Sequence, residues 1–296
     1  MAVGSRVVII VNPIAGGGRG PSEALDVERR LAAAGFSVER VETRAAGDAE
    51  RFAREAAASR AAIVLACGGD GTINEAVQGL AGTDTALAVM PLGTANVLAR
   101  ELNVFDGPSA VAGAILSGRR RRFDLGRANG RYFICFASLG FDAFVTEQMA
   151  KSRRGSISYL TYLAPTWRAF MDYPFTPLRV TVDGRRLEAG AYHVVIGNVR
   201  GYGGPFSVIP AAKPDDGQLD ACVFRGTGRG WLVWHMAAMA AHVHHRVGNV
   251  EMVRGSRIEV ECDAPVAMQF DGDFKGHGPV VFETVPRAVT VLAHRR

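Results

Sequence analysis

Only three of the chain's 34 basic residues are lysines (Lys151, Lys213 and Lys275), so the net charge of +5 on 296 residues is carried by arginine. An arginine bias can follow from base composition, and a modest positive charge admits nucleotides, anionic lipid surfaces or nucleic acid without choosing among them. The four cysteines, Cys67, Cys135, Cys222 and Cys262, lie far apart with no CxxC spacing. That excludes a disulfide framework or a zinc ribbon and reads as buried thiols in a reducing compartment. Long apolar runs are missing too. Val7–Val11 and Trp231–Ala241, the latter broken by His235, fall well short of the roughly 20 residues that span a bilayer. The opening residues lack a signal-peptide layout, because Val7–Val11 leads directly into Asn12-Pro13, and Gly4 is not placed for myristoylation. A cytoplasmic protein is expected. There are no solenoid repeats and no low-complexity tract. With 48% hydrophobic and 21% charged residues the chain is too apolar for disorder. Its length suggests two domains at about 150 residues each.

The first part alternates strand and helix signals. Arg6–Val11, Phe36–Val41, Ala61–Cys67 and Ala86–Met90 are short apolar or β-branched runs, and helical patterns follow from Pro21, Asp48, Ile73 and Ala95. Glycine clusters close three of the strands: Gly16-Gly17-Gly18, Gly68-Gly69-Asp70-Gly71-Thr72, and Pro91-Leu92-Gly93-Thr94. Strand, glycine loop and helix repeating in this way predict a parallel sheet with helices on its faces, whose ligands bind beyond the carboxyl ends of the strands. None of the loops is a P-loop or a dinucleotide fingerprint. Glycines that remove Cβ atoms, backed by a helix N-terminus, still suit a phosphate. Asp70 is unusual in such a turn unless it meets a metal, a hydroxyl or its own loop. Beyond Arg119–Arg122, which reads as a solvated connector, strands bounded by turns predominate: Phe123–Phe136, Leu178–Val182 before the Asp183-Gly184 hairpin turn, Ala191–Ile196, Leu219–Phe224, Arg257–Cys262 and Val266–Phe270. Helical patches cover roughly 159–171 and 230–243. The expected division is 1–123, with a short strand Ala288–Ala293 in the tail 287–296 returning to it, and a mainly antiparallel domain 124–286.

Asn12-Pro13 with Gly16-Gly17, Gly68-Gly69-Asp70-Gly71-Thr72 with Asn74-Glu75, and Pro91-Leu92-Gly93-Thr94-Ala95-Asn96 are similar to the catalytic domain of diacylglycerol and sphingosine kinases, the bacterial soluble lipid kinases most of all. The likeness continues in order through Gly197-Asn198, Gly203-Gly204, Pro210, Ala212, Asp215-Asp216-Gly217, Leu219-Asp220 and Asp271-Gly272-Asp273. The Gly-Gly-Asp-Gly-Thr loop alone is shared with NAD kinases and phosphofructokinases, so an NAD kinase stands as an alternative. The resemblance implies a phosphofructokinase-like (NAD-kinase-like) α/β nucleotide domain followed by an all-β sandwich for lipid. It implies ATP as phosphoryl donor and a lipid hydroxyl as acceptor, diacylglycerol first, with transient contact at a membrane surface. It also implies that Asn12, Pro13, Ile14, Ala15, Gly16, Thr43, Gly68, Gly69, Asp70, Gly71, Thr72, Ile73, Asn74 and Thr94 line the ATP site. A structural Mg²⁺ is implied at the Asp216 carboxylate and the backbone carbonyls of Lys213 and Gln218, a hard oxygen set suited to that ion.

In this family the last acidic element reads Asp-Gly-Glu, and the glutamate accepts the proton of the lipid hydroxyl. Here Asp273 keeps the carboxylate on a side chain one methylene shorter, which makes a catalytically impaired binding protein a further alternative. Asp273 is the expected base, Asp70 the second candidate, and Asp271 is expected to help bind catalytic Mg²⁺. The aromatics Tyr159, Tyr162, Trp167, Phe170, Tyr173 and Phe175 read as a helix packed on the sandwich, with a bilayer contact as the other reading. Lys151, Arg153 and Arg154 suit either an anionic surface or a solvated turn. His235, His242, His244 and His245 lack the acidic or cysteine partners of a zinc site. No nucleic-acid module is present, and a homodimer is left open.

Overall fold

A computed structural model describes residues 4–104, 107–152, 159–203 and 206–294, with no account of the side chains of 152–165. Arg153, Arg154 and Gly204 therefore lie outside the described residues, as do the side chains of Tyr159 and Tyr162. The chain divides into two units, Met1–Leu125 with Pro286–Arg296, and Gly126–Val285.

The first unit follows the apolar periodicity. Strands β1 (Arg6–Val11), β2 (Ser37–Glu42), β3 (Ile63–Gly68) and β4 (Ala86–Pro91) alternate with helices α1 (Gly20–Ala33), α2 (Asp48–Ala58), α3 (Asp70–Leu80) and α4 (Val97–Leu102). A further helix, α5 (Gly107–Ser117), precedes β5 (Arg120–Ala128). Strands β1, β2, β3 and β4 pair in parallel in the order β4-β3-β1-β2. β3 is buried along its whole length, which explains why Ile63–Gly68 is a continuous apolar run rather than an alternating one. Arg119–Arg122, expected as a solvated connector, instead opens β5. There the backbone pairs while the side chains reach water, and the Arg121 guanidinium lies 4.8 Å from the centre of the Phe123 ring.

The second unit contains β6 (Arg131–Phe133), β7 (Phe136–Leu139), α6 (Phe141–Ser152), α7 (Tyr159–Asp172), β8 (Leu178–Val182), β9 (Arg185–Arg186), β10 (Ala191–Gly197), β11 (Gly201–Tyr202) and β12 (Phe206–Ser207). It continues through β13 (Leu219–Arg225), α8 (Arg229–Ala240), β14 (Val250–Gly255), β15 (Arg257–Cys262), β16 (Ala267–Phe270) and β17 (Asp273–His277). The pairs of β10 with β13, β7 and β8, of β15 with β8, and of β16 with β7 and β17 are all antiparallel. Alternation along β13 sorts Leu219, Ala221 and Val223 into the core between strands, with Phe133, Phe270 and Phe282. Cys222 and Phe224 face the other way, into a second core under the helices with Phe141, Tyr173, Tyr192 and Leu232. In β10 a bulge between Ala191 and His193 lets both Tyr192 and Val195 point to the helix side.

The last strand, β18 (Val280–Leu292), is longer than the expected Ala288–Ala293. Its first half pairs with β15 in the second unit, and Thr290 and Val291 pair in parallel with Ala86 and Leu87 of β4 in the first. Arg287 has a positive φ of 51°, and its N–H donates to the buried Asp124 carboxylate at 2.7 Å. The alternating pattern breaks at this point.

Candidate active site

The glycine loops all emerge at the carboxyl edge of the parallel sheet. Asn12 to Gly20 follow β1, Thr43 follows β2, Gly69 links β3 to α3, and Leu92 to Asn96 link β4 to α4. Side chains bind these segments to one another. The Asn12 amide donates to Thr72 Oγ1 at 3.2 Å, and its carbonyl oxygen accepts from Ile14 N–H. Thr43 N–H donates to the Val11 carbonyl at 2.9 Å. The first turn of α3 carries no side-chain cap, so its leading N–H groups lack intrahelical acceptors and sit at the positive end of the helix dipole. This arrangement fits a phosphate. Thr94 and Ile14 are exposed on the same loops, whereas Ile73 and Asn74 are buried in α3, the Asn74 side chain taking a hydrogen bond from Gln78.

Asp70 meets the neighbouring loop. Its two carboxylate oxygens accept the backbone N–H groups of Asn96, at 2.9 Å, and Val97, at 2.8 Å, the first N–H groups of α4. The negative charge is thus offset by hydrogen bonds directed along the sheet edge. Asn96 was not singled out as a site residue, although it belongs to the Pro91–Asn96 motif. Its amide closes the loop by accepting from Gly93 N–H and donating to the Gly93 carbonyl, both at 2.8 Å. Gly93 and Gly69 touch through their backbones. A Cβ on Gly93 would lie 2.7 Å from Gly69 Cα and 2.9 Å from Asn96 Oδ1, closer than side chains pack.

In the second unit, Asp271 and Gly272 form the two-residue turn between β16 and β17, with φ of +48° and +88°. Positive φ at both central residues is what a type I′ hairpin turn requires, and Asp-Gly is favoured there. Asp271, expected at a magnesium ion, directs both oxygens into the protein. Oδ2 accepts Ile134 N–H and Oδ1 accepts Cys135 and Phe136 N–H, each at 2.9 Å. Gln269 supports the same turn by accepting Gly272 N–H at 2.8 Å, and donates to Ser138 Oγ and Asp142. Ser138 and Tyr202 also donate to Asp142. None of Gln269, Ser138, Asp142 or Tyr202 stood out in the sequence, since a lone polar residue inside an apolar strand gives no signal of its partner. The turn delivers Asp273 at the start of β17 with its side chain 42% exposed and 3.6 Å from Lys275 Nζ.

The Asp216 turn is also built from within. Oδ1 accepts Gln218 N–H at 3.2 Å, and Arg254, which the sequence did not mark, lies 3.5 Å from Oδ2 and donates to Asp220 at 3.0 Å. Burial pushes the Asp220 carboxyl up against the pull of Arg254. Its Oδ2 is buried without a hydrogen-bond partner among the described residues. Two carboxylates and backbone carbonyls in one turn match the oxygen chemistry of Mg²⁺, so the residues present fit that ion. Of the four histidines, His235 meets Tyr192 OH and His244 meets the Val208 carbonyl, both at 2.7 Å. No cluster of metal-ligating side chains occurs among the described residues.

The family model of the diacylglycerol kinase catalytic domain matches residues 6–128, and that of the YegS C-terminal NAD kinase beta sandwich-like domain matches 135–293. The chain belongs to the diacylglycerol kinase family. A diacylglycerol kinase of Mycobacterium tuberculosis is 30% identical over 299 residues, covering 98% of this chain and 96% of that protein. One of Bacillus subtilis is 27% identical, covering 97% and 96%. The crystal structure of a diacylglycerol kinase from Bacillus anthracis superposes with a TM-score of 0.77 at 25% identity, covering 99% of this chain and 98% of that one. An α/β unit followed by a β-sandwich is therefore the fold of a diacylglycerol kinase-like protein. No helix among the described residues is long and apolar enough to cross a membrane.

Proposed function

We propose that the chain is an ATP-dependent lipid kinase that transfers the γ-phosphate of MgATP to the hydroxyl of diacylglycerol. The observation that carries the nucleotide assignment is the uncapped first turn of α3, set among glycine loops that Asp70 and Asn96 tie together. The triphosphate would be bound by backbone N–H groups there, with Asn12 and Thr72 beside it. Asp70 then acts as a positioning residue that keeps the Gly93 loop against Gly69.

In the reaction the lipid oxygen attacks the γ-phosphorus, the bond to the bridging β,γ-oxygen breaks, and ADP departs. The hydroxyl proton passes to the Asp273 carboxylate. Such transfers rely on positioning and charge neutralisation more than on covalent chemistry, so a base held by a rigid turn suits the task. Asp271 and Gln269 hold that turn by backbone hydrogen bonds. Magnesium on the triphosphate would offset charge as it develops. A second magnesium, held by Asp216 and the carbonyls of Lys213 and Gln218, would brace the turn that leads into β13.

Radiolabelled ATP offered with diacylglycerol, sphingosine, phosphatidylglycerol and NAD in mixed micelles tests this reading. Label in diacylglycerol is expected. Label in NAD alone, or nucleotide binding with no transfer to any lipid, would refute it.

A further inference from the structure

Helix α8 departs from the ordinary pattern of a surface helix. Residues 231–241 contain one polar side chain, His235, yet only Leu232, His235 and Ala238 are buried. Trp231, Val233, Trp234 and Met236 are 44%, 53%, 54% and 40% exposed. A helix that is apolar all round is normally enclosed, and this one presents most of its circumference to solvent. It is not isolated. Arg229 at its start donates to the carbonyls of Phe170 and Met171 at the end of α7, where Trp167 is 65% and Met171 44% exposed. The helix also packs near β12, on which Phe206 is 43% exposed. All three tryptophans of the chain thus lie on two adjoining helices, and all three are exposed.

The charge around this patch has one sign. From Ala221 to Val250 the sequence has no Asp or Glu, but it has Arg225, Arg229 and Arg246. Among the described residues no ion pair neutralises Arg229, Arg246 or Arg168, the last next to Trp167. The one carboxylate at the edge is Asp172, at the end of α7. Tryptophan rings favour the headgroup level of a bilayer, and cationic side chains around an apolar helical face favour anionic lipid.

We infer that the α7–α8 face, centred on Trp231, Val233, Trp234 and Met236, is a docking surface for an anionic phospholipid bilayer. It rests on the lipid-kinase reading only for its purpose, which is to bring the second unit to a substrate dissolved in membrane. Burying the exposed halves of these side chains removes enough apolar area to change vesicle partitioning by tenfold or more, at about 25 cal/mol per Å².

The test uses the full chain without ATP, mixed with vesicles of phosphatidylglycerol or of phosphatidylcholine and read by co-sedimentation and tryptophan emission. Binding to the anionic vesicles with a blue shift is expected, as is weak binding to the neutral ones. The double variant Val233→Glu with Trp234→Glu, and separately Trp167→Glu, should lose binding about tenfold while keeping the circular dichroism of the parent. Phosphorylation of a short-chain, water-soluble diacylglycerol should stay unchanged in both, which separates this proposal from the kinase reading. Equal binding to both vesicle types, or variants that bind like the parent, would overturn it. So would a parent that forms a dimer abolished by the double variant and does not bind vesicles, because the occupant would then be a second copy.

Discussion

Replacing Asp271 by Asn should unfold the second unit more easily and silence the protein by displacing Asp273. The carboxylate accepts three backbone N–H groups at 2.9 Å while 5% exposed. Each hydrogen bond to a charged acceptor contributes about 1.5–3 kcal/mol, and a buried N–H left without a partner costs about 1–3 kcal/mol. An amide keeps one oxygen, enough for two of the three donors, and turns its own NH₂ toward the third. The two surviving bonds lose their charge assistance. Together these changes come to about 4 kcal/mol, which for a unit of this size lowers its unfolding temperature by about 8–16 °C. Differential scanning calorimetry and urea titration would measure the effect. Asp273→Asn is the control. That side chain is 42% exposed and has only Lys275 near it at 3.6 Å, so stability should change by less than about 0.5 kcal/mol. An Asp271→Asn protein with the stability of the parent but no activity would refute the reasoning and return Asp271 to the chemistry itself.

Three further outcomes are expected. Asp273→Asn should remove label transfer to diacylglycerol, and Asp273→Glu, which restores the longer side chain, should retain or raise it; full activity in Asp273→Asn together with none in Asp70→Asn would move the base to the first unit. Gly93→Ala, whose Cβ would meet Gly69 Cα at 2.7 Å, should weaken ATP binding at least about tenfold by calorimetry, and unchanged affinity would separate the Gly93 loop from the nucleotide. Burial is the leading cause that lowers the pKa of both His235 and His244 below 6.5. The unfolded chain takes up those protons first, so the stability held by the neutral rings is complete above that pH and is lost as pH falls through the lowered folded values. Urea midpoints measured between about pH 7 and 5 should fall, and His244→Gln should fall less steeply; parallel slopes would show that the rings are not responsible.

The first unit was legible because its signals coincide. Buried strands such as Ile63–Gly68 are continuous apolar runs, the helices behind them have a clear 3.6 period, and glycine marks each join. α5 was missed because Gly107–Ser117 is so rich in small apolar residues that no face stands out. In the second unit, β14 carries exposed Glu251 and Arg254 beside apolar residues and shows little alternation. β18 was read short because Pro286 and the positive φ at Arg287 interrupt its pattern. The candidate site residues were found as motifs, but what several of them do in the fold was not. Asp70 and Asp271 look like chemistry in a sequence because acids in glycine turns so often are. Their acceptors are backbone N–H groups 26 to 137 residues away, and backbone donors leave no mark on residue identity.

β18 has a consequence for biosynthesis. The first unit takes its edge strand, around Thr290 and Val291, from beyond the whole of Gly126–Val285. At about 5–20 residues per second, the ribosome needs on the order of ten seconds or more to make that intervening stretch. Until then β4 has an open, fully apolar edge, the kind of strand that invites pairing with another chain. The nascent nucleotide unit should therefore be at its most aggregation-prone just when most of the polypeptide already exists, and should depend on chaperones for longer than a contiguous domain of equal size.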